Sequence, residues 1–436
     1  MRLRAAVGTL LLLAAGAYDA AASPALLTRF GGLGGDATYE GAFSIYWNPA
    51  ALARPGWDVG LSGQLILRQA SYDRDAVTNQ VRPEWQSANA GLARSDTHAL
   101  LPGLAGGAGL TVGDLDVGGG AGMLLLHAGA VRFDQNTAAP AAFPGALDGP
   151  QRWSTIRSQF YVLEPTLGAA VRHRPTGFSL GATATVAHAT LKTTRARNLD
   201  QTDDLTDAFG QLKEGRVYFE GSDTTVVWSV GLRWSGAGRN AVGLTFHRGP
   251  KLDLQGDADV AFGLQPPSHT AAHLAFPIAD VVRAAGALGL GACGCVTLRP
   301  SIEYARWSVF KRQVALTPTG AEILRIERDF NDTLAARLRA DVRLHPRLVA
   351  SAGAGYESAA TPSRNFEPGF AEAASIEGGL GAAIDVHDNL RVVSSFIVQR
   401  LFDTTITDSQ QKPTQNGRYV DLREFVTVDL ELAFGR

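Results

Sequence analysis

Apolar and polar residues alternate along most of the chain with a period of two. Residues 226–234, 334–344 and 426–434 are clear examples, with Val, Leu, Ala, Trp or Phe at every second position and mostly polar or small residues between them. Successive side chains of a β-strand point to opposite faces, so each run predicts a strand with one apolar and one charged face. The runs are longer than the roughly five or six residues usual in soluble sheets. The pattern therefore predicts long strands, the first near Trp57–Tyr72 and the last near Val420–Phe434.

The segments that join the predicted strands alternate in length. Asp134–Arg152 and Thr194–Arg216 are long, whereas Gly113–Asp116 and Arg174–Thr176 are short; Ala279–Cys295 departs from this scheme, because it should be short and is long. Long loops at one end and short turns at the other are typical of an outer-membrane barrel, which must close because hydrocarbon offers no hydrogen-bond partner. We therefore predict an all-β fold, a transmembrane antiparallel barrel of about 14 strands over residues 57–436. Its apolar faces should meet lipid and its charged faces the lumen.

The residues before the first predicted strand divide into two parts. Met1–Arg4 is basic, Val7–Ala17 is apolar and Ala20–Ala22 is a small-residue cleavage motif, so residues 1–22 are expected to be a signal peptide. Residues 23–56 form a Gly-rich segment in which Asn48 is a good helix N-cap and Pro49 suits the first helical position. Such a compact segment is too small to fold alone, so we expect the barrel to contain it.

Composition narrows the possible functions. A net charge of -2 argues against nucleic-acid binding, and two cysteines, Cys293 and Cys295, are too few for a disulfide framework. His269 and His273 lie too far apart along a strand to share a metal ion easily. No nucleophile elbow or phosphate-binding loop is present. We expect no metal site, no cofactor and no enzymatic activity.

Four segments spread over nearly the whole mature chain share features with one known family. They are the Gly-rich segment that ends in Trp47–Ala50, the run Ser229–Phe262, the motif EYARWSVF at Glu303–Phe310 and the run Phe330–Ala359. Each segment is a weak signal by itself. In their order and spacing, and together with the predicted barrel, they resemble the FadL/TodX family of outer-membrane transporters for long-chain fatty acids and hydrocarbons.

The resemblance implies a fourteen-stranded barrel whose lumen is closed by residues 23–56, an N-terminal hatch that we call the plug. It also implies passive uptake across the outer membrane of a Gram-negative bacterium: outer loops catch an apolar ligand, which moves to an inner pocket before the plug moves. Long-chain fatty acids are the expected ligand, with aromatic or alkane hydrocarbons as the alternative. From other classes, the chain could be a barrel that anchors secretion or assembly partners, or an outer-membrane lipase, although no Ser/His/Asp set stands out. The expected partners are a hydrophobic small molecule and membrane lipid, with no nucleic acid, and the protein is expected to be a monomer.

Candidate gating residues lie in the plug. Trp47, Asn48, Pro49 and Ala50 are expected either to act as a movable latch or to form a structural turn that seats the plug. The N-terminal residues Ser23–Leu27 are similar in position to the family's tail that reaches the inner pocket.

Candidate ligand-binding residues lie in the plug and in one outer loop. Phe30, Phe43 and Tyr46 are expected either to line the pocket or to pack the plug against the wall. Leu205, Phe209 and Leu212 recur at helical spacing in the link 194–216. They are expected to form a ligand-catching groove, or else one face of a loop helix that packs on its neighbours.

Overall fold

A computed structural model of the chain describes residues 18–19, 30–31, 33, 35–76, 86–263, 265–291 and 294–435. These residues form a closed antiparallel barrel of 14 strands, which confirms the predicted fold class. The first strand pairs with both the second and the last, so that Leu65 lies opposite Leu100 on one side and Val426 on the other. No helix in the described ranges has the length and apolarity needed to cross a membrane.

Some predicted features fall outside the described residues. These are the signal peptide except for Tyr18 and Asp19, the N-terminal residues Ser23–Leu27, and Cys293. Cys295 is described and is disulfide-bonded.

The strands are numbered in chain order. They are β1 Gly56–Arg74, β2 Gly91–Val112, β3 Leu115–Arg132, β4 Arg157–His173, β5 Phe178–Arg197, β6 Gly215–Ser235, β7 Ala241–His247 with Lys251–Ala261, β8 Ser268–Pro277 with Val281–Leu290, β9 Val296–Ala305 with Arg312–Leu316, β10 Glu322–Glu327 with Thr333–His345, β11 Leu348–Glu357, β12 Ser375–His387, β13 Leu390–Leu401 with Thr404–Ile406, and β14 Gly417–Phe434.

Four neighbouring strands, β7 to β10, are each interrupted near mid-length. The two parts of each strand pair with the two parts of the next, so they are halves of one barrel strand. Pro250 and Pro277, which lack a backbone N–H, flank the first two interruptions. The expected long link Ala279–Cys295 is therefore wrong. Val281–Leu290 completes β8, and its small residues, mostly Ala and Gly, hide the alternation in the sequence.

Short helices occur in the N-terminal segment and in the outer loops. The predicted helix after Asn48 is a 3-10 helix, Pro49–Leu52, with Asn48 as its N-cap. The α-helices are α1 Ser44–Trp47 and α2 Gln86–Asn89. The remaining 3-10 helices are Pro144–Asp148, Pro150–Trp153, Trp307–Val309, Ser363–Asn365 and Pro368–Phe370.

The polarity of the barrel wall inverts across the interruptions. In the inner half of β7, Val242 and Leu244 face outward and Thr245 is buried inside. In the outer half, Leu252 and Leu254 are buried inside while the polar side chains between them are exposed. The predicted charged lumen is therefore correct at the level of the plug and wrong in the outer half of β7, whereas β1 and β14 keep Arg68, Asp421 and Arg423 buried inside. Above the membrane the outer surface meets water, so the apolar side chains turn inward.

Two apolar clusters fill the barrel at different levels. The outer cluster, which we call the outer interior, joins inward residues of β4 to β10 with loop 358–374 and includes Phe160, Phe219, Leu254, Phe276, Phe310, Phe330 and the adjoining Phe370. The inner cluster joins the plug to β2, β3 and β4 and includes Phe30, Phe43, Ile45, Tyr46, Trp47, Leu52 and Leu124. The barrel thus has an apolar interior above a plug that is itself tightly packed.

Candidate functional site

Glycines on the inner wall make room for the plug. A Cβ atom at Gly118 would overlap the backbone at Leu52, and one at Gly181 would overlap the backbone at Pro49. A Cβ at Gly231 would collide with the Asn48 side chain. Several adjacent strands therefore use the absence of a side chain to bring their backbone against the plug.

Asn48 fastens the plug to the wall. Its Nδ2 donates to the carbonyl oxygen of Ala37 at 2.7 Å and to that of Leu232, in β6, at 3.0 Å. Its Oδ1 accepts from the backbone N–H of Ala50 at 3.0 Å. The side chain is fully buried, so loss of these bonds would leave buried polar groups unpaired. This geometry supports the seating role, and the latch role stays a prediction.

Ionic contacts clamp the other side of the plug. Arg299 of β9 donates from Nη1 to the Thr38 hydroxyl at 2.8 Å and from Nε to Asp341 at 2.7 Å, and it lies 3.6 Å from the Asp36 carboxylate. Arg233 of β6 forms an ion pair with Glu40 of the plug. The plug is therefore held by charge as well as by packing.

Arg283 of β8 joins the plug's aromatic residues to the wall. It donates to the Tyr46 hydroxyl at 3.1 Å, and its guanidinium carbon lies 5.0 Å from the Tyr46 ring centre and 5.3 Å from that of Trp47. It also pairs with Glu303 of β9. Cation–π contacts of this kind stabilise most where water is excluded.

A cavity of about 120 Å³ lies between the plug and the outer interior. Tyr46 and Trp47 of the plug border it, as do residues of β3 to β10 and of β13 and β14. Its lining mixes apolar side chains with Glu164, Thr166, Thr185 and His247. This is the point at which the apolar outer interior meets the polar inner half.

The wall beside the cavity is not fully hydrogen-bonded. The ladder between β2 and β3 ends at the pair Gly103–Leu124, and beyond it His98 and Ala99 lie opposite Asp19 and Tyr18 instead. The cavity-bordering residues Leu124, Leu126 and His127 lie along β3 from this end point outward. A bulge between Leu125 and His127 bends the strand there.

The predicted plug residues separate into two groups. Tyr46 and Trp47 border the cavity, whereas Pro49 and Ala50 pack on Gly181. Phe30 and Phe43 are fully buried and stacked on each other with ring centres 4.7 Å apart. They pack against Gly103 and Gly60 of the wall and do not border the cavity. Their position supports the packing alternative.

The predicted helical stripe in the outer loop is wrong. Residues 198–214 contain no helix; a bridge pairs Thr206 with Leu212 instead. Leu205 is 1% exposed and Phe209 is 89% exposed, so the two do not share a face. Asp and Ser/Thr hydrogen bonds to nearby backbone groups compete with helix formation here, as with Asp207 Oδ1, which accepts from Phe209 and Gln211. A ligand-catching role for Leu205, Phe209 and Leu212 stays a prediction.

The same loop is fastened by buried ion pairs. Arg152 donates to Glu214 at 3.0 Å, and Arg74 donates to Asp203 at 2.9 Å. Burial by itself would raise the pKa of Glu214, but Arg152 and Arg216 outweigh that effect and hold the pKa below its ordinary value. Ion pairs therefore hold the loop to the outer end of β1 and to the preceding long loop.

Metal binding finds no support in the described ranges. His269 hydrogen-bonds to Asp259 at 2.8 Å and His273 to Asp253 at 3.0 Å, all on the outer wall. No group of three or more His, Cys, Asp or Glu residues among the residues placed above is arranged to hold an ion.

Sequence reasoning missed the cavity and Glu164. Glu164 is an acidic residue on the inward face of β4, where its neighbours Phe160 and Val162 are apolar. The change from apolar to acidic residues along one face of β4 could have indicated Glu164 from the sequence. It went unnoticed because a charged inward face was expected everywhere.

A family model described as "Outer membrane protein transport protein (OMPP1/FadL/TodX)" matches residues 167–420, more than half of the chain. No curated protein matches the sequence. Among solved structures, a Pseudomonas aeruginosa FadL homologue is 13% identical with a TM-score of 0.76, over 95% of this chain and 99% of that one. The Pseudomonas putida toluene transporter TodX is 14% identical with a TM-score of 0.71, over 94% of this chain and 100% of that one. The Ralstonia pickettii toluene transporter TbuX is 13% identical with a TM-score of 0.64, over 96% and 100%. At these identities the likeness concerns the fold.

Proposed function

Because the chain belongs to the OMPP1/FadL/TodX family of outer-membrane transport proteins, we propose that it takes up small apolar compounds passively through its plugged barrel. The observation that carries the proposal is the apolar outer interior, which leads to a cavity bordered by the plug. The family is one of transporters, and we propose no enzymatic activity. One chain encloses the whole pathway, so we propose that a monomer surrounded by outer-membrane lipid is sufficient.

The energetics favour apolar ligands over polar ones. The plug closes the lumen, so a solute passes only if it binds well enough to enter a packed interior. Each CH₂ group transferred from water contributes about 0.8 kcal/mol, which gives hydrocarbons this binding energy and sugars or ions almost none. No energy-coupling contact is needed for transport down a gradient.

The cavity volume supports one-ring hydrocarbons more than the long-chain fatty acids expected from the sequence. An engineered protein cavity of about 150 Å³ holds benzene, and the cavity here is about 120 Å³. TodX and TbuX are described as toluene transporters. We therefore propose toluene-sized hydrocarbons as the first ligands to test, and long-chain fatty acids as the second.

Two exit routes from the cavity lead in different directions. Movement of Tyr46 and Trp47 would open the way through the plug to the periplasm. The end of the β2–β3 ladder supports a second route, sideways between Gly103 and Leu124 into the membrane. A disulfide engineered between β2 and β3 beyond this pair would slow uptake by the second route alone.

Uptake of labelled toluene by cells or vesicles that contain the protein tests the proposal. Val227→Trp places a large side chain in the cavity, because Val227 faces inward and borders it. Val226→Trp is the matched control, since Val226 faces lipid and is 70% exposed. We expect Val227→Trp to slow toluene uptake about tenfold or more, equivalent to about 1.4 kcal/mol, and Val226→Trp to leave it unchanged. Equal uptake by both variants, or no uptake by the unaltered protein, would contradict the proposal.

A further inference from the structure

Glu164 places a carboxylate against the cavity without a partner. It lies on the inward face of β4, is 7% exposed, and is directly opposite Leu124 of β3. Its inward neighbour toward the outer end is Val162, which is fully buried. Within the described part of the chain, no cation and no hydrogen-bond donor engages its side chain. A carboxyl group that is buried without a partner leaves hydrogen-bonding capacity unused, which costs free energy.

The cations around the same cavity are already paired. Four arginines border it, and each forms an ion pair with a carboxylate: Arg248 with Asp280 at 2.9 Å, Arg337 with Glu377 at 2.7 Å, Arg423 with Asp421 at 3.0 Å, and Arg283 with Glu303. An anionic ligand would therefore meet only arginines whose charge is already offset by a carboxylate. A ligand that donates a hydrogen bond would instead relieve the unpaired carboxylate.

Thr166, Thr185 and His247 also line the cavity, and none of them hydrogen-bonds to the Glu164 side chain. The Thr166 and Thr185 hydroxyls hydrogen-bond to each other at 2.9 Å. His247 is held against the plug, with its ring 5.8 Å from that of Tyr46. Its Nε2 is buried and has no hydrogen-bond partner among the residues placed in the structure. Among the described residues, the cavity thus offers an unpaired acceptor at Glu164 and a second unpaired polar atom at His247.

We propose that Glu164 is a specificity-determining residue that favours apolar compounds carrying a hydrogen-bond donor, an alcohol or an amine, over hydrocarbons and carboxylates of the same shape. This inference rests on the proposed uptake function and names its substrate class. The apolar part of the ligand occupies the cavity, and its O–H or N–H donates to the Glu164 carboxylate. The ligand's hydrogen bond would satisfy an acceptor that is otherwise left unpaired.

Four one-ring compounds of similar shape test the proposal: toluene, benzyl alcohol, benzylamine and benzoate. Binding to the purified full chain in detergent can be followed by tryptophan fluorescence, because Trp47 and Trp307 border the cavity. Uptake of the same compounds is measured in parallel. We expect the alcohol and the amine to bind about tenfold more tightly than toluene, and benzoate to bind most weakly.

Two substitutions separate charge from hydrogen bonding. Glu164→Gln keeps an acceptor and removes the charge, so the preference for the amine should fall while that for the alcohol remains. Glu164→Leu removes both, so both preferences should disappear while toluene binding stays within about twofold. Glu220→Leu is the matched control, because Glu220 pairs with Lys192 on the outer wall and does not border the cavity.

The outcomes distinguish this inference from the proposed function. Suppose that toluene is taken up, and that Glu164→Leu binds the four compounds in the same order of affinity as the unaltered protein. The specificity inference then fails and the transporter proposal stands. Benzoate binding as tightly as benzyl alcohol would also overturn the inference, even if Glu164→Leu does not fold. If the fluorescence ranking is as expected but none of the compounds enters vesicles, the transporter proposal fails instead.

Discussion

Asn48 connects the plug backbone to the barrel wall through one amide group. Replacing it with Ala removes the donor to Leu232 and to Ala37 and the cap of the following helix. We expect Asn48→Ala to weaken plug seating by about 1–3 kcal/mol and to raise the conductance of single barrels to small ions in planar bilayers. Asn136→Ala, in an outer loop, is the control. Unchanged conductance would argue that packing alone seats the plug.

Gly181 allows the wall of β5 to approach the plug closely beside Asn48. A methyl group there would overlap the plug backbone at Pro49 and Ala50, so Gly181→Ala should displace the plug at a cost of about 1–3 kcal/mol. Gly63→Ala is the matched control, because a Cβ at Gly63 meets nothing within 4 Å. Protease cleavage within the plug measures the effect. Equal resistance of the two variants would show that the wall can move away.

At the scale of elements, the loop 198–214 depends on the charge of Glu214. Its pKa is held below the ordinary value of 4.5 by Arg152 and Arg216, against the effect of burial. A lowered pKa means that the stabilisation is present above pH 4.5 and is lost as the pH falls through the lowered value. We expect the backbone amides of this loop to stay protected from hydrogen exchange from neutral pH down to the lowered pKa of Glu214. Below that pH, their protection relative to an unstructured peptide should be lost.

Glu214→Gln is the comparison for this pH dependence. It cannot ionise, so its loop should exchange faster at neutral pH and should lack the acid transition. A transition of the same size in Glu214→Gln would assign the effect to another carboxylate, such as Asp203, which pairs with Arg74.

At the scale of the whole molecule, the inversion of wall polarity sets where the membrane lies. Leu244 faces outward in the inner half of β7, and Gln255 faces outward in its outer half. Arginine on the lipid face costs up to about 2–4 kcal/mol near the bilayer midplane, so Leu244→Arg should lower the urea midpoint of unfolding from vesicles. Gln255→Arg should leave it unchanged. Equal losses would place both residues in lipid and contradict the inversion.

The alternation of side chains determined much of this architecture. It predicted the strands, because period-two burial is a local property of extended backbone. The antiparallel closure was predicted from the alternating lengths of the links, and the count of about 14 strands also depended on the family resemblance. The Asn48–Pro49 helix start was also predictable, since capping depends on a few adjacent residues. The sequence likewise contains the resemblance that led to the family.

The tertiary structure alone decided what each face meets. Whether an inward residue borders the plug, water or an apolar core depends on the height of its strand in the barrel, and alternation carries no information about height. The isolation of Glu164 follows from that geometry, because each of the four arginines that border the same cavity pairs with another carboxylate. The local sequence pattern thus determined the strands of the barrel, and long-range contacts determined what the inward side chains meet.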